Sequence, residues 1–178
     1  MSNFSCSVHA QIETPLSDVR AALGDWVIER FGGSRSVAVR AGREPWVSFY
    51  ASFLTRSERA RRESAQAMAE FLSKAAVAAL SVEIADVYGF EVVLWQGGRV
   101  IDSLEGSVEG GLEPKWDRLA NWPGYQPGGA ERCAAAWVNF DYEEPLAEAL
   151  GLPPDALGDW GAILSSANLE SFGLAKWF

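Results

Sequence analysis

Two adjacent glycines, Gly97-Gly98, stand between two apolar-rich runs, and no other feature of the chain narrows its fold as far. Glycine takes positive φ without the Cβ penalty other residues meet, and a type I′ two-residue turn needs positive φ at both central positions. Phe90 to Gln96 and Arg99 to Leu104 are therefore expected to pair as a β-hairpin over residues 90–104. A plain two-residue turn sets Leu94 opposite Ile101 and Trp95 opposite Val100, so both surfaces of the ribbon carry apolar groups.

The hairpin closes a longer stretch, Trp46 to Leu104, that reads as strand, helix, strand, hairpin. Val47, Phe49, Ala51 and Phe53 alternate with Ser48, Tyr50 and Ser52, the period of a strand with one buried face. Thr55 precedes Glu58 by three, the spacing of a capping box, and a helix over Arg56 to Lys74 is expected to follow. Ala60, Ser64, Met68, Phe71, Leu72 and Ala75 supply its core-facing stripe. Alternation returns at Leu80, Val82 and Ile84.

Upstream, Phe4, Cys6, Val8, Ala10 and Ile12 alternate with Ser5, Ser7, His9 and Gln11, which predicts a first strand with one solvated face. Thr14-Pro15 is a helix start, because Pro at the first helical position gives up an N–H that would bond nothing. Leu16, Val19, Leu23, Trp26, Val27 and Phe31 form its apolar stripe, and Gly32-Gly33 ends it. Val37 and Val39 mark a second short strand. The expected class is α+β, a ferredoxin-like split β-α-β-β-α-β core with the hairpin appended. Both helices then share one sheet face, and a further layer must cover the other.

That cover is expected from residues 105–178, giving one domain over 1–178 with residues 1–104 as its core. Glu105 to Gly129 is rich in Gly and Pro, with Trp116, Trp122 and Tyr125 interspersed, and predicts a long ordered loop with a helical turn near Trp116 to Leu119. Glu131 to Phe140 and Glu143 to Leu150 read as helices, followed by a short helix ending near Leu164 and an apolar terminus from Leu169 to Phe178. A chain of 178 residues buries roughly 70% of its unfolded surface. Each of its eight Trp removes about 150–250 Å² from water when buried. A core is thus available without metal or disulfide.

Charge is unevenly spread along the chain. Residues 1–75 carry ten Lys or Arg against eight Asp or Glu, whereas residues 76–178 carry five against sixteen. The acidic half repels phosphate, so nucleic acid is not an expected partner. Neither a basic stretch followed by an apolar leader nor a membrane-length apolar run occurs, and the chain is read as cytoplasmic, with no membrane partner. Cys6 and Cys133 lack a CxxC or His-rich context, which points to buried, reduced thiols.

Chemical signatures are sparse. His9, the one histidine, falls on the polar strand face opposite Cys6, and is read as a solvated strand residue in preference to a catalytic base. Asp141, Glu143 and Glu144, with Asp102 and Glu105, offer oxygen ligands for Mg²⁺ or Ca²⁺. Carboxylates ahead of Pro145 also suit a helix N-terminus, Asp141 with Glu144 having capping spacing, and this reading is preferred. Arg56, Arg59, Arg61 and Arg62 are read as a solvated face partly compensated by Glu58 and Glu63, with anion binding as the alternative. Gly106, Gly110 and Gly111 form no phosphate-binding pattern. No catalytic residue, metal or cofactor is assigned.

The expected function is a non-enzymatic acidic domain that docks on a basic protein, an immunity-type inhibitor of a toxin being one concrete version. Charge complementarity speeds such encounters, and buried aromatics supply affinity. The expected surface comprises Asp102, Glu105, Glu109, Asp141, Glu143 and Glu144 with Trp116, Trp122 and Tyr125, although most of the aromatics read equally as core or loop anchors. The alternatives are a ligand or substrate pocket between the sheet and the Trp116 to Tyr125 loop, and a homodimer joined through an uncovered sheet face.

Overall fold

The computed structural model describes residues 4–31, 38–41, 45–50, 57–85 and 89–158. The elements run β1 (Phe4–Gln11), α1 (Leu16–Phe31), β2 (Ala38–Ala41), β3 (Trp46–Tyr50), α2 (Glu58–Leu72), β4 (Ala78–Ala85), β5 (Gly89–Gln96) and β6 (Arg99–Ser107). A 3-10 helix (Trp116–Asn121), α3 (Gly129–Trp137) and α4 (Glu143–Ala149) follow. The class is α+β, with a six-stranded sheet in the order β2-β3-β1-β4-β5-β6 and every neighbouring pair antiparallel. Among the described residues, no helix is long and apolar enough to cross a membrane.

Each sheet face carries its own core. On one, Cys6, Val8, Ala10, Val47 and Phe49 pack with Val19, Leu23 and Val27 of α1 and with Ala65, Met68, Ala69 and Leu72 of α2. Trp26 of α1 stacks on Phe71 of α2 at a ring-centroid distance of 5.3 Å, joining the helices. On the other, Leu80, Val82, Ile84, Phe90, Val92, Leu94 and Leu104 pack with Trp116, Leu119, Trp122, Tyr142, Leu146 and Leu150. Strands β4 and β5 bury residues on both surfaces, but only the surface away from α2 is uniformly apolar, since Ser81, Glu83 and Glu91 lie on the α2 side. The face a homodimer would need is thereby covered along β4 to β6.

Several boundaries move from their expected places. The cap of α2 is Ser57, whose hydroxyl accepts the Ala60 N–H at 3.2 Å; Thr55 lies outside the described residues, as do Ala51 to Phe53, Gly32-Gly33, Val37 and everything beyond Gly158. Asp141 does not cap α4. The N-cap position belongs to Tyr142, without a side-chain capping bond, and Asp141 is exposed.

The polar face of β1 is not solvated. Ser7, His9 and Gln11 are buried, His9 completely, because the C-terminal region lies over this face: the His9 ring meets Tyr50 edge-on, and the Tyr50 hydroxyl donates to the Ala156 carbonyl at 3.4 Å. Burial is met by hydrogen bonding: His9 Nε2 lies 2.8 Å from Ser7 Oγ and His9 Nδ1 lies 2.8 Å from Ser48 Oγ. Alternation reported the chemistry of each face correctly, and only its contact with water was misread.

The hairpin turns at its glycines, with φ of 56° at Gly97 and 76° at Gly98, and Gln96 faces Arg99. Ser73, at the end of α2, holds this turn: its carbonyl accepts the Gly97 N–H and its hydroxyl the Gly98 N–H, both at 3.0 Å. Trp95 faces Val100 as expected, but Leu94 faces Asp102 in place of Ile101. Ile101 is the extra residue of a β-bulge, and it shifts the register of everything after it.

Gly89, where β5 begins, is the tightest backbone position in the hairpin. Its φ is 152°, and a Cβ there would stand 2.2 Å from the Gly106 carbonyl oxygen, whereas a Cβ at Gly97 would meet nothing within 4 Å. Gly89→Ala is therefore predicted to lose about 1–3 kcal/mol of unfolding free energy in urea, from overpacking against backbone. Gly97→Ala is predicted to lose about 1 kcal/mol from its left-handed φ alone. Equal losses would contradict this reading of the turn.

Candidate functional site

At the end of the sheet where β5 begins and β6 finishes, the register lines up carboxylates. Glu83 of β4 is the partner of Glu91 in β5, and Glu91 is the partner of Glu105 in β6. Directly opposed residues project from the same face with Cβ atoms about 5 Å apart, so like charges there repel and destabilise the pairing. The three form one row on the side of the sheet that carries α2.

Helix α2 brings one cation to the row. Arg62 places Nη2 2.6 Å from Glu91 Oε2 and Nε 3.0 Å from Glu83 Oε2, and Gln66 Nε2 donates to Glu91 Oε2 at 3.4 Å. The contact to Glu83 has ion-pair distance without hydrogen-bond geometry, leaving Glu83 Oε2 buried with no hydrogen-bond donor. Burial accordingly raises the Glu83 carboxyl above its usual range, Arg62 acts against that shift, and the Glu91 and Glu58 charges add to it. Arg62 thus offsets the inner part of the row. Glu105 stands at its exposed end.

Below Arg62 lies Cys6, whose thiol burial and then Glu83 push up to about 12. Burial raises Cys133 to about 12 as well. Both thiols are free, buried and protonated at neutral pH, which removes them as nucleophiles.

Two concavities meet at Glu105 and Leu112. One, of about 300 Å³, is lined by Arg62, Glu83, Glu91, Glu105, Ser107 and Leu112 among others. The other, of about 210 Å³, has Ser103, Glu105, Glu113, Lys115 and Arg118 in its wall. Leu112 is 43% exposed, so an apolar contact stands beside the carboxylates. Such an arrangement can take an ammonium or guanidinium group with an alkyl stem.

The residues expected to act together divide into two sets. Asp102 turns inward: Oδ2 accepts Trp122 Nε1–H at 2.9 Å, Oδ1 accepts the Ser103 N–H at 2.8 Å, and Arg118 pairs with the same carboxylate. It ties the long loop to β6. Trp116 and Trp122 are buried, Trp116 stacking on Phe90 at 5.4 Å, and Tyr125 is half-buried with its hydroxyl accepting the Ala130 N–H at 3.3 Å. With Leu119 they pack between sheet and loop, and two open concavities lie at Glu105. Glu105, Glu109, Asp141 and Glu144 are exposed and Glu143 half-buried, the last two in the first turn of α4. Among the described residues, no group of three or more His, Cys, Asp or Glu has metal-binding geometry.

Glu83 and Glu91 went unread in the sequence because each sits singly in an apolar strand. Only the bulge brings them into line with Glu105. An unbulged hairpin would set Glu91 opposite Leu104.

Glu83 provides a pH test with a definite sign. Its folded pKa is raised, so its protonated form adds stability that is complete below the unfolded pKa and lost as pH rises through the folded one. Glu83→Gln is neutral throughout. It is predicted to melt above the parent at pH 7, with the gain vanishing towards pH ~3, where both states of the parent are protonated. A gain that persists at low pH, or a loss at pH 7, would show the Arg62 pair to dominate.

Comparison with known proteins returns no match to a family model, to a curated protein or to a solved structure.

Proposed function

We propose that the chain is a non-catalytic binding domain whose acidic sheet end docks on a basic protein. One observation carries this reading: Glu83, Glu91 and Glu105 stand in a single cross-strand row in which Arg62 offsets the inner two, while Glu105 faces Glu91 as a like charge, which disfavours that pairing. A Lys or Arg side chain from a partner relieves the repulsion and lays its stem on Leu112. Glu109, Asp141 and Glu144 widen the field that steers a cationic surface in. Inhibition of a basic toxin, in the manner of bacterial immunity proteins, is the concrete version.

The finer fold and setting belong to the same proposal. The order β4-β1-β3-β2, with α1 and α2 in one core, supports a ferredoxin-like split core within a single domain. Free, unreactive thiols support a cytoplasmic setting.

A second reading, a homodimer, is favoured by Val100 and Ile101, each 55% exposed at the start of edge strand β6. Net charge of −9 opposes it, because two copies repel. Light scattering separates the two, since only a dimer gains mass with concentration.

The direct test is affinity capture from the native host at low and high salt. A variant carrying Glu105→Lys, Glu109→Lys and Glu144→Lys, all exposed positions, is predicted to keep its circular dichroism and lose salt-sensitive capture. Undiminished capture by that variant contradicts an acidic docking surface.

A further inference from the structure

The turn between α3 and α4 is built against its own conformational preference. Asp141 N–H donates to the Ala136 carbonyl at 3.2 Å and Phe140 N–H to the Trp137 carbonyl at 3.1 Å, closing α3 with a Schellman-type turn. Its left-handed position, where glycine is usual, is held by Phe140 with φ of 59°, the one non-glycine residue with positive φ among the described residues. The ring meets Trp137 edge-on at 6.2 Å and remains 46% exposed. Val138, two residues earlier, is 74% exposed. An apolar tip is thus displayed in a backbone state that a glycine would occupy at lower energy.

This tip is fixed to the same end of the sheet as the carboxylate row but on the other face, where Phe90 and Gly106 lie, so the two meet around the sheet end. Tyr142 donates its hydroxyl proton to the Gly89 carbonyl at 3.2 Å, and a Cβ on Gly106 would stand 2.9 Å from Trp137 Cη2. Asp141, next in sequence, and Glu144, in the first turn of α4, are both exposed.

We infer that Phe140, with Val138, is the apolar anchor of the docking surface and enters an apolar pocket rimmed by Lys or Arg on a protein partner. The inference rests on the proposed acidic docking reading and adds the residue that supplies affinity. Asp141 and Glu144 set the partner's chemistry, since they complement a basic rim and are repelled by anionic lipid. The displayed ring supplies buried area with few rotamers to lose. Retaining Phe at a left-handed position matches the pattern in which backbone strain collects where contacts are made.

The test is an amide NMR titration of the full chain with two probes: a short amphipathic Leu/Lys peptide, and oligolysine of equal charge. The Leu/Lys peptide is predicted to shift amides 137–144, and oligolysine those near Glu91 and Glu105. Phe140→Gly suits the backbone, so it is predicted to melt no lower than the parent yet bind the Leu/Lys peptide at least tenfold more weakly. Loss of melting temperature with unchanged peptide affinity would make Phe140 a packing residue and overturn the inference. Peptide shifts confined to other surfaces, or capture of the tip by anionic vesicles in place of the peptide, would also overturn it. Silence of oligolysine near Glu105, with the tip still responding, would remove the acidic row and leave the anchor.

Discussion

A single unpaired residue, Ile101, sets what the second half of the sheet can do. Side chains alternate along a strand, so one extra residue moves every later position of β6 to the opposite face. With the bulge, Leu104 faces Val92 in the core shared with the C-terminal region, Asp102 faces Leu94 and reaches Trp122, and Glu105 faces Glu91. Without it, Glu105 would point into an apolar layer and Leu104 towards α2. Burial of Leu104 is worth about 1.5–3 kcal/mol by itself, more than a cross-strand carboxylate repulsion of about 0.2–1 kcal/mol takes away. Packing therefore decides the register, and the acidic row is carried along by it.

Covering both sheet faces places the polar groups as well. One layer is α1 and α2, the other the loop, 3-10 helix, α3 and α4, and between them His9 of β1 is hydrogen-bonded to Ser7 of β1 and Ser48 of β3. All three side chains are buried. Charge is instead concentrated where the sheet ends and neither layer closes over it, with Arg62 reaching from one helix to the inner two carboxylates. Structure and charge are in this sense separate achievements of the same strands.

What could be read from residues alone follows from how local each signal is. Gly97-Gly98, Pro15 and the apolar stripes of α1 and α2 act over a few residues, and the elements they predict are present. His9 was misread because alternation separates polar from apolar faces, and only the layer packed on a face, here reached through Tyr50 and Ala156, tells whether it meets water. Trp116 and Trp122 read both as core or loop anchors and as interface aromatics because their loop has no period, and Asp102 and Phe90 draw them inward. The row Glu83, Glu91 and Glu105 needs the register of three strands and a bulge, none of it local. Phe140 was invisible for a related reason: its positive φ is imposed by the helix end and left no glycine to announce it.

The central claim is that Glu105 is held opposite Glu91 at the expense of the chain's own stability. Thermal unfolding of the parent, Glu105→Gln and the off-row control Glu109→Gln, followed from low to high NaCl, addresses it most directly. Screening weakens repulsion, so the parent should gain melting temperature with salt, while Glu105→Gln should start higher and gain less than either of the others. A parent that melts lower as salt is added, or a Glu105→Gln variant less stable than the parent at low salt, would mean that the row is a stabilising network and not a site held for a cationic partner.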